Sequence, residues 1–213
     1  MTESLLPALP EIYLTAAICV LLVFDVFFGL KNPGRTASFT LLLLLGGAAL
    51  TVYTAAPGAP REVFGGLYVN DALGVLLKLA GFLFLTVGLY YSNGYLARRG
   101  LQKGEYYVLS LTSLLGIMVL GSAGSLVTVY IGIELLSLSL YALVAFDRES
   151  GVSAEAAMKY FVLGSIASGT LLYGMSLIYG LTGTLALDVI AATLVGEPSL
   201  GLILGLVFIV VAT

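Results

Sequence analysis

The sequence predicts an all-α integral membrane protein, a polytopic bundle of six full transmembrane helices followed by a partial seventh. The 213-residue chain is 60% apolar and only 10% charged, whereas soluble domains carry about 25% charged residues. Six apolar stretches are each long enough to cross a hydrocarbon core of about 30 Å. Short polar segments, several of them rich in Gly and Pro, separate these stretches.

The six spans follow one another with short connections. We predict them at residues 7–29, 36–56, 70–92, 105–122, 125–146 and 154–180. Prolines 7 and 10 suit the start of the first helix. Asn93-Gly94 is predicted to end the third, and the connection at residues 121–125 is very tight. Ser153 is the candidate N-cap of the sixth.

The C-terminal part of the chain is predicted to be only partly membrane-spanning. Residues 181–199 are less apolar and are expected to form a loop or a short helix on the membrane surface. Residues 200–213 are apolar, but as a helix they would reach about 21 Å, less than the bilayer thickness. We therefore expect the chain to be the first part of a longer protein, because a chain end within lipid would be very costly.

Basic residues in the loops predict the orientation. One side of the membrane would hold six of them and the other side Arg61 alone; the six are Lys31, Arg35, Arg98, Arg99, Lys103 and Arg148. The positive-inside rule then places the N-terminus outside. No basic patch suggests nucleic acid, so the lipid bilayer is the expected environment.

Composition also limits the redox chemistry of the chain. It has no His and a single Cys, Cys19, within an apolar run. Haem, Cys-ligated iron–sulfur and zinc sites need several His or Cys ligands. We expect no cofactor, metal or redox centre in this chain.

Glu134 is the most informative residue, because it is the only charge between residues 125 and 146. A charge near the middle of a span costs at least about 2.5–3.5 kcal/mol. Tyr130, Ser137 and Tyr141 share its helix face at i−4, i+3 and i+7. Such a stripe could hold a bundle together by hydrogen bonds, but the carboxylate favours a role in moving protons or ions.

Lys159 is the second candidate, about five residues into the sixth span. One interpretation is a local ion pair with Glu155, one turn earlier; the other, which we favour, directs Lys159 into the bundle. Counting from the short loop between the helices puts Lys159 about 10 Å from Glu134 along the axis. At an effective dielectric of about 20, the two charges would still interact by about 1.7 kcal/mol.

Lys78 is a candidate of lower weight, together with Tyr130, Ser137 and Tyr141. It lies seven residues after Asp71, on the same face of the third helix. The residues leave two roles open: a structural lysine that snorkels to the interface, or part of a polar path. Glu11, in the first turn of the first helix, is interpreted as structural, since an acidic residue suits the helix dipole there.

Two stretches resemble a known family. GIELLSLSLYALVAF at 132–146, followed by AEAAMKYFVLGSIASGTLLYGMSLIYGLTG at 154–183, is similar to subunit N of NADH–quinone oxidoreductase (respiratory complex I). That subunit belongs to the antiporter-like family, which includes subunits L and M and Mrp-type antiporter subunits. The specific features are a glutamate in an E-L-x-S-L context and A-x-x-K-Y-F opening the next helix.

The resemblance implies a subunit of about 14 helices that contains two inverted five-helix repeats. Residues 1–104 would be an N-terminal three-helix segment and 105–213 the incomplete start, helices 4–7, of the first repeat. Glu134 and Lys159 match the family's helix 5 glutamate and helix 6 lysine. The family's direct partner of the glutamate, a lysine on the broken seventh helix, would lie beyond residue 213.

The implied function is proton translocation as part of an NADH:quinone oxidoreductase (a translocase), coupled to quinone reduction elsewhere in the complex. FMN, iron–sulfur clusters and quinone would be held by partner subunits. The implied partners are subunit M and the small subunits A, J and K, in a bacterial inner (plasma) membrane. Two alternatives remain: a subunit of an Mrp-type cation/proton antiporter, and a purely structural membrane-arm subunit.

Overall fold

The computed structural model describes residues 3–29, 33–55, 60–194 and 199–212. Within these ranges, six helical segments are long and apolar enough to cross a membrane, which confirms the predicted polytopic helical fold. Lys31, residue 56 of the predicted second span, residues 195–198 of the predicted surface segment and residue 213 lie outside the described ranges.

The order of elements follows the predicted spans. A 3₁₀ turn, Glu3–Ala8, leads into the first α-helix, and a π-helical turn, Asp25–Gly29, continues it. The α-helices are α1 Leu9–Phe24, α2 Pro33–Thr54, α3 Ala72–Arg98, α4 Gly104–Gly121, α5 Leu126–Val144, α6 Gly151–Thr182, α7 Leu187–Leu194 and α8 Leu200–Ala212; the strands are β1 Arg61–Val63 and β2 Tyr68–Asn70.

Several helix boundaries differ from the prediction by a few residues, and capping explains two of them. Helix α3 runs through Asn93-Gly94 and ends at Arg98, where Gly100 adopts φ +68° and closes the helix. A glycine is tolerated within a helix, and its left-handed conformation favours the position just past the end. Helix α6 begins earlier than predicted because Ser150, not Ser153, is its N-cap: the Ser150 hydroxyl accepts a hydrogen bond from the Ser153 N–H.

The strands β1 and β2 form a small antiparallel hairpin that the sequence did not predict. Arg61 pairs with Asn70 and Val63 with Tyr68. Two glycines with positive φ, Gly65 (67°) and Gly66 (88°), form its turn. Strands of three residues are too short to show an alternating pattern, so the all-α prediction missed them.

Backbone hydrogen bonds join the hairpin to two other segments at one end of the bundle, which we call the hairpin face. The connector between α4 and α5, residues 122–125, lies between the hairpin and the start of α7. The Val69 N–H donates to Ser122 O at 2.8 Å, and the Leu187 N–H donates to Gly124 O at 3.0 Å. The connector therefore bonds to the hairpin on one side and to the α7 segment on the other.

Two apolar cores fill the bundle. The first is formed by α1–α4 around Leu44, Phe82 and Leu111, and the second by α5–α8 around Leu171 and Ile178. The prediction that a domain boundary falls at residue 104 stays a prediction.

Glycines allow close helix contacts at two places. A Cβ on Gly116 of α4 would lie 2.9 Å from the Gly132 carbonyl oxygen of α5, and one on Gly174 of α6 would lie 2.8 Å from the Gly205 carbonyl oxygen of α8. Both distances are too short for a side chain, so these glycines bring the backbones together.

Candidate functional site

Glu134 lies midway along α5 and faces α6. It is eight residues from the start of α5 at Leu126 and ten from its end at Val144. At about 1.5 Å per residue, the carboxylate is carried about 12 Å from one end of the helix and about 15 Å from the other. Its side chain is half-buried, and its depth in the membrane stays a prediction.

A short hydrogen-bonded chain surrounds the Glu134 carboxylate. The Ser168 hydroxyl of α6 donates to Glu134 Oε1. The Tyr130 hydroxyl lies 3.2 Å from Ser168 Oγ. Because Ser168 has one hydroxyl proton and gives it to Glu134, Tyr130 is the donor in the second bond. Tyr130, predicted to lie beside Glu134, is therefore connected to the carboxylate through Ser168. The sequence did not identify Ser168 as a partner.

A cavity of about 420 Å³ opens beside this chain; α5 and α6 supply most of its lining, with Leu120 of α4 and Ala212 of α8. Glu134, Ser137 and Tyr141 of the predicted stripe line it, together with Ser168. The Tyr141 ring packs edge-on against Tyr160, with centroids 4.7 Å apart. A cavity of this volume has room for several waters, whose share of liquid volume is about 30 Å³ each. The stripe therefore borders a space beside the carboxylate that is large enough to hold water.

Lys159 forms the local ion pair with Glu155. The favoured interpretation, in which Lys159 points into the bundle, is wrong. Its ammonium lies 2.5 Å from Glu155 Oε1, and the two side chains are 70% and 67% exposed. The exposure follows from helix length: α6 has 32 residues and α5 only 19. The first turns of α6, residues 151–159, extend past the end of α5, and most of their residues are exposed.

The position of Ser168 also gives the spacing between Lys159 and Glu134. Ser168 is at the level of Glu134, and Lys159 is nine residues earlier on α6. The rise of an α-helix makes that about 13 Å along the axis, so Lys159 is not a direct hydrogen-bonding partner of Glu134, as predicted from the sequence. Proton transfer between Lys159 and Glu134 would therefore need intervening groups.

Lys78 lies at a second polar cluster, near the hairpin face. Its side chain is 1% exposed, and its Nζ lies 2.7 Å from Glu11 Oε1. Lys78 Nζ also donates to the Tyr68 hydroxyl at 2.8 Å. Of the two roles left open, the snorkelled lysine is wrong, because the ammonium is held in a buried ion pair. Asp71 instead caps α3, accepting a hydrogen bond from the Gly74 N–H at 2.6 Å.

Tyr68 joins this cluster to the hairpin. Its hydroxyl oxygen lies 2.8 Å from Pro7 O and 3.0 Å from Glu11 Oε2, so its single proton is donated to one or the other. Burial, and then the nearby Glu11 carboxylate, raise the pKa of Tyr68 well above its usual range. The phenol is therefore protonated at neutral pH. Neither Tyr68 nor the Glu11–Lys78 pair could be identified from helix periodicity.

The fold and the Glu134 cavity define a class: a polytopic membrane chain with an ionisable site between two of its helices. Residues 123–213 match a family model described as NADH:quinone oxidoreductase/Mrp antiporter, transmembrane. This segment contains Glu134, Lys159 and Ser168, and its similarity to that family covers the part of the chain that holds the candidate site.

Proteins of similar sequence narrow the class of membrane protein further. The chain is 50% identical, over 208 residues, to NADH-quinone oxidoreductase subunit N of Thiobacillus denitrificans, a match that covers 96% of this chain and 42% of the relative. A subunit N from Nitrosomonas europaea is 47% identical, with 96% and 43% covered. The chain is therefore homologous to part of subunit N, which confirms the resemblance found in the sequence. It spans about two fifths of the length of these relatives.

Solved structures agree in fold. A chain of respiratory complex I from Thermus thermophilus matches with a TM-score of 0.75 and 29% identity, over 95% of this chain and 42% of that one. A chain of the Mrp complex from Dietzia sp. also has a TM-score of 0.75, with 20% identity, over 100% and 40%. At that identity the second match shows the fold alone.

Proposed function

We propose that this chain is part of a proton-translocating membrane subunit of NADH–quinone oxidoreductase, a translocase. The observation that carries the proposal is the Glu134 carboxylate, held midway along α5 by Ser168 and open to a cavity. The 50% identity to a subunit N supports the assignment to this complex.

The chemistry of the site is proton binding at the Glu134 carboxylate. Glu134 takes a proton from water in the cavity, and Ser168 keeps the carboxyl group oriented in both states, because a hydroxyl can donate or accept. Tyr130 supplies a second hydroxyl in the same chain. Lys159, about 13 Å away along α6, contributes a positive charge whose effect depends on how much water lies between.

The energy for translocation would come from quinone reduction in partner subunits. FMN, iron–sulfur clusters and quinone belong to those partners in this proposal, because this chain has no His and a single Cys. The partner subunits are M and the small membrane subunits A, J and K. The chain lies in a bacterial inner membrane with the hairpin face outside, as the loop Lys and Arg residues suggest.

The test is Glu134→Gln in the assembled enzyme, which removes the ionisable proton site and keeps the side-chain shape. We expect proton pumping to fall at least about tenfold; a positioned proton donor or acceptor contributes about 10²–10⁴-fold. Pumping is measured together with quinone turnover and the amount of assembled complex. Unchanged pumping and turnover would show that Glu134 is not essential.

Two alternatives give different results. A subunit of an Mrp-type cation/proton antiporter would co-purify without flavin and iron–sulfur proteins and would support sodium-dependent proton exchange. The relevant structural match is only 20% identical, so the antiporter is less well supported. A purely structural subunit would tolerate both Glu134→Gln and Lys159→Ala with normal activity whenever the complex assembles.

A further inference from the structure

We propose that Glu11, Tyr68 and Lys78 form a second proton-transfer site, at the hairpin face, that exchanges protons with the adjoining aqueous phase. The inference rests on the proposed function, since it assigns a further station to the same translocation. Its residues come from three elements: α1, β2 and α3.

The first argument is the burial of the ion pair. Lys78 is 1% exposed and Glu11 10% exposed. Apolar residues of similar volume are often neutral or stabilising in place of a buried pair. An ionisable residue within a membrane span is therefore a candidate for function once its partner is known, and Glu11 is that partner.

The second argument is the continuity of the hydrogen bonds. Lys78 Nζ donates to Tyr68 Oη at 2.8 Å, and the Tyr68 hydroxyl can donate to Glu11 Oε2 at 3.0 Å. A proton can pass from Lys78 to Tyr68 Oη while Tyr68 passes its own proton to Glu11. The ion pair then becomes a neutral amine and a neutral carboxyl group, with no change in total charge.

The third argument is access. Glu11 and Tyr68 line a groove of about 310 Å³ at the hairpin face, whereas Lys78 does not. Neutral Glu11 can release its proton to a water molecule in this groove, and neutral Lys78 can accept another proton from a water molecule on its inner side. One proton enters and one leaves, which restores the ion pair. Other elements contribute Leu115, Val119 and Thr128 to the groove, none of them ionisable, and Asp71 is engaged as the α3 cap.

Three variants in the intact complex test the inference. Tyr68→Phe keeps the ring and removes the bridging hydroxyl. Lys78→Arg keeps the positive charge but does not release a proton at physiological pH. The double variant Glu11→Gln/Lys78→Met removes both charges together, so that neither is left buried without its partner. Proton pumping, quinone turnover and assembly are measured for each, beside Glu134→Gln.

We expect the Tyr68→Phe and double-variant complexes to assemble and their proton pumping to fall at least about tenfold, as for loss of a positioned proton carrier. Lys78→Arg should lower pumping in the same way. Infrared difference spectra during turnover should show a protonated-carboxyl signal that is lost in the double variant Glu11→Gln/Lys78→Met.

The inference is overturned if the assembled Tyr68→Phe and double variants pump normally, because the cluster would then be a packing contact. In that case a loss of pumping in Glu134→Gln would leave the proposed function standing. Normal pumping in Glu134→Gln would instead count against the proposed function itself.

Discussion

At the scale of single residues, the Glu134 carboxylate of α5 accepts a hydrogen bond from the Ser168 hydroxyl of α6. Glu134 was evident because a lone charge in a long apolar run needs an explanation. Ser168 was not, because one serine among several small residues of α6 has no distinctive signal. Glu11 and Lys78 are far apart in sequence, and only the tertiary fold brings their charged groups within 2.7 Å. Long-range pairs of this kind cannot be predicted from periodicity.

Ser168 should be needed for efficient proton transfer at Glu134. Ser168→Ala removes the hydroxyl that donates to the carboxylate. A hydrogen bond to a charged group contributes about 1.5–3 kcal/mol, so we expect proton pumping in the assembled complex to fall by about tenfold to 100-fold.

Ser165→Ala is the matched control for this change. The Ser165 hydroxyl donates only to Phe161 O in its own helix, at 2.8 Å. Pumping should stay close to that of the unsubstituted enzyme. Equal effects of the two substitutions would contradict a specific role for Ser168.

At the scale of elements, apolar length predicted the spans well, and their ends less well. The hydrophobic signal reports where a helix can cross a bilayer, but capping decides where it begins and ends. Ser150, not the predicted Ser153, is the N-cap of α6, and α3 continues through Gly94. Packing between helices was also hard to predict, since Gly169 meets nothing within 4 Å whereas Gly174 contacts α8.

The contact between α6 and α8 should be sensitive to a single methyl group. In Gly174→Ala the new Cβ would lie 2.8 Å from Gly205 O, and overpacking of this kind costs about 1–3 kcal/mol. We expect a lower thermal stability of the purified complex and less assembled enzyme in membranes.

Gly169→Ala offers a control on the same helix. Its Cβ has open space, so the change should be neutral or should stabilise the helix by up to about 1 kcal/mol. A similar loss of stability in both variants would argue against a specific contact at Gly174.

At the scale of the whole molecule, loop charge predicts which face is outside, and the structure shows which residues share a face. Glu62 lies in β1 at the hairpin face, and Glu149 follows α5 at the other end of the bundle; both are exposed. Acidic residues contribute little to orientation, so replacing them leaves the topology undisturbed.

Cysteine labelling then tests the orientation. In a Cys19→Ser background, Glu62→Cys should react with a membrane-impermeant maleimide added to intact spheroplasts. Glu149→Cys should react only after the membrane is permeabilised. The reverse pattern would place the N-terminus inside and would turn the site formed by Glu11, Tyr68 and Lys78 toward the cytoplasm.

The backbone hydrogen bonds at the hairpin face have a mechanical consequence. There, main-chain bonds join the hairpin, the connector and the start of α7, as in the 2.8 Å bond from Val69 to Ser122. At the other end, the exposed ion pair Glu105–Arg148 links α4 to the loop after α5; exposed pairs of this kind contribute about 0–1 kcal/mol. The hairpin end should therefore resist separation of the two helix groups more than the other end. There, side-chain contacts join α4 to the residues after α5, namely the Glu105–Arg148 pair and the Tyr106–Phe146 ring pair.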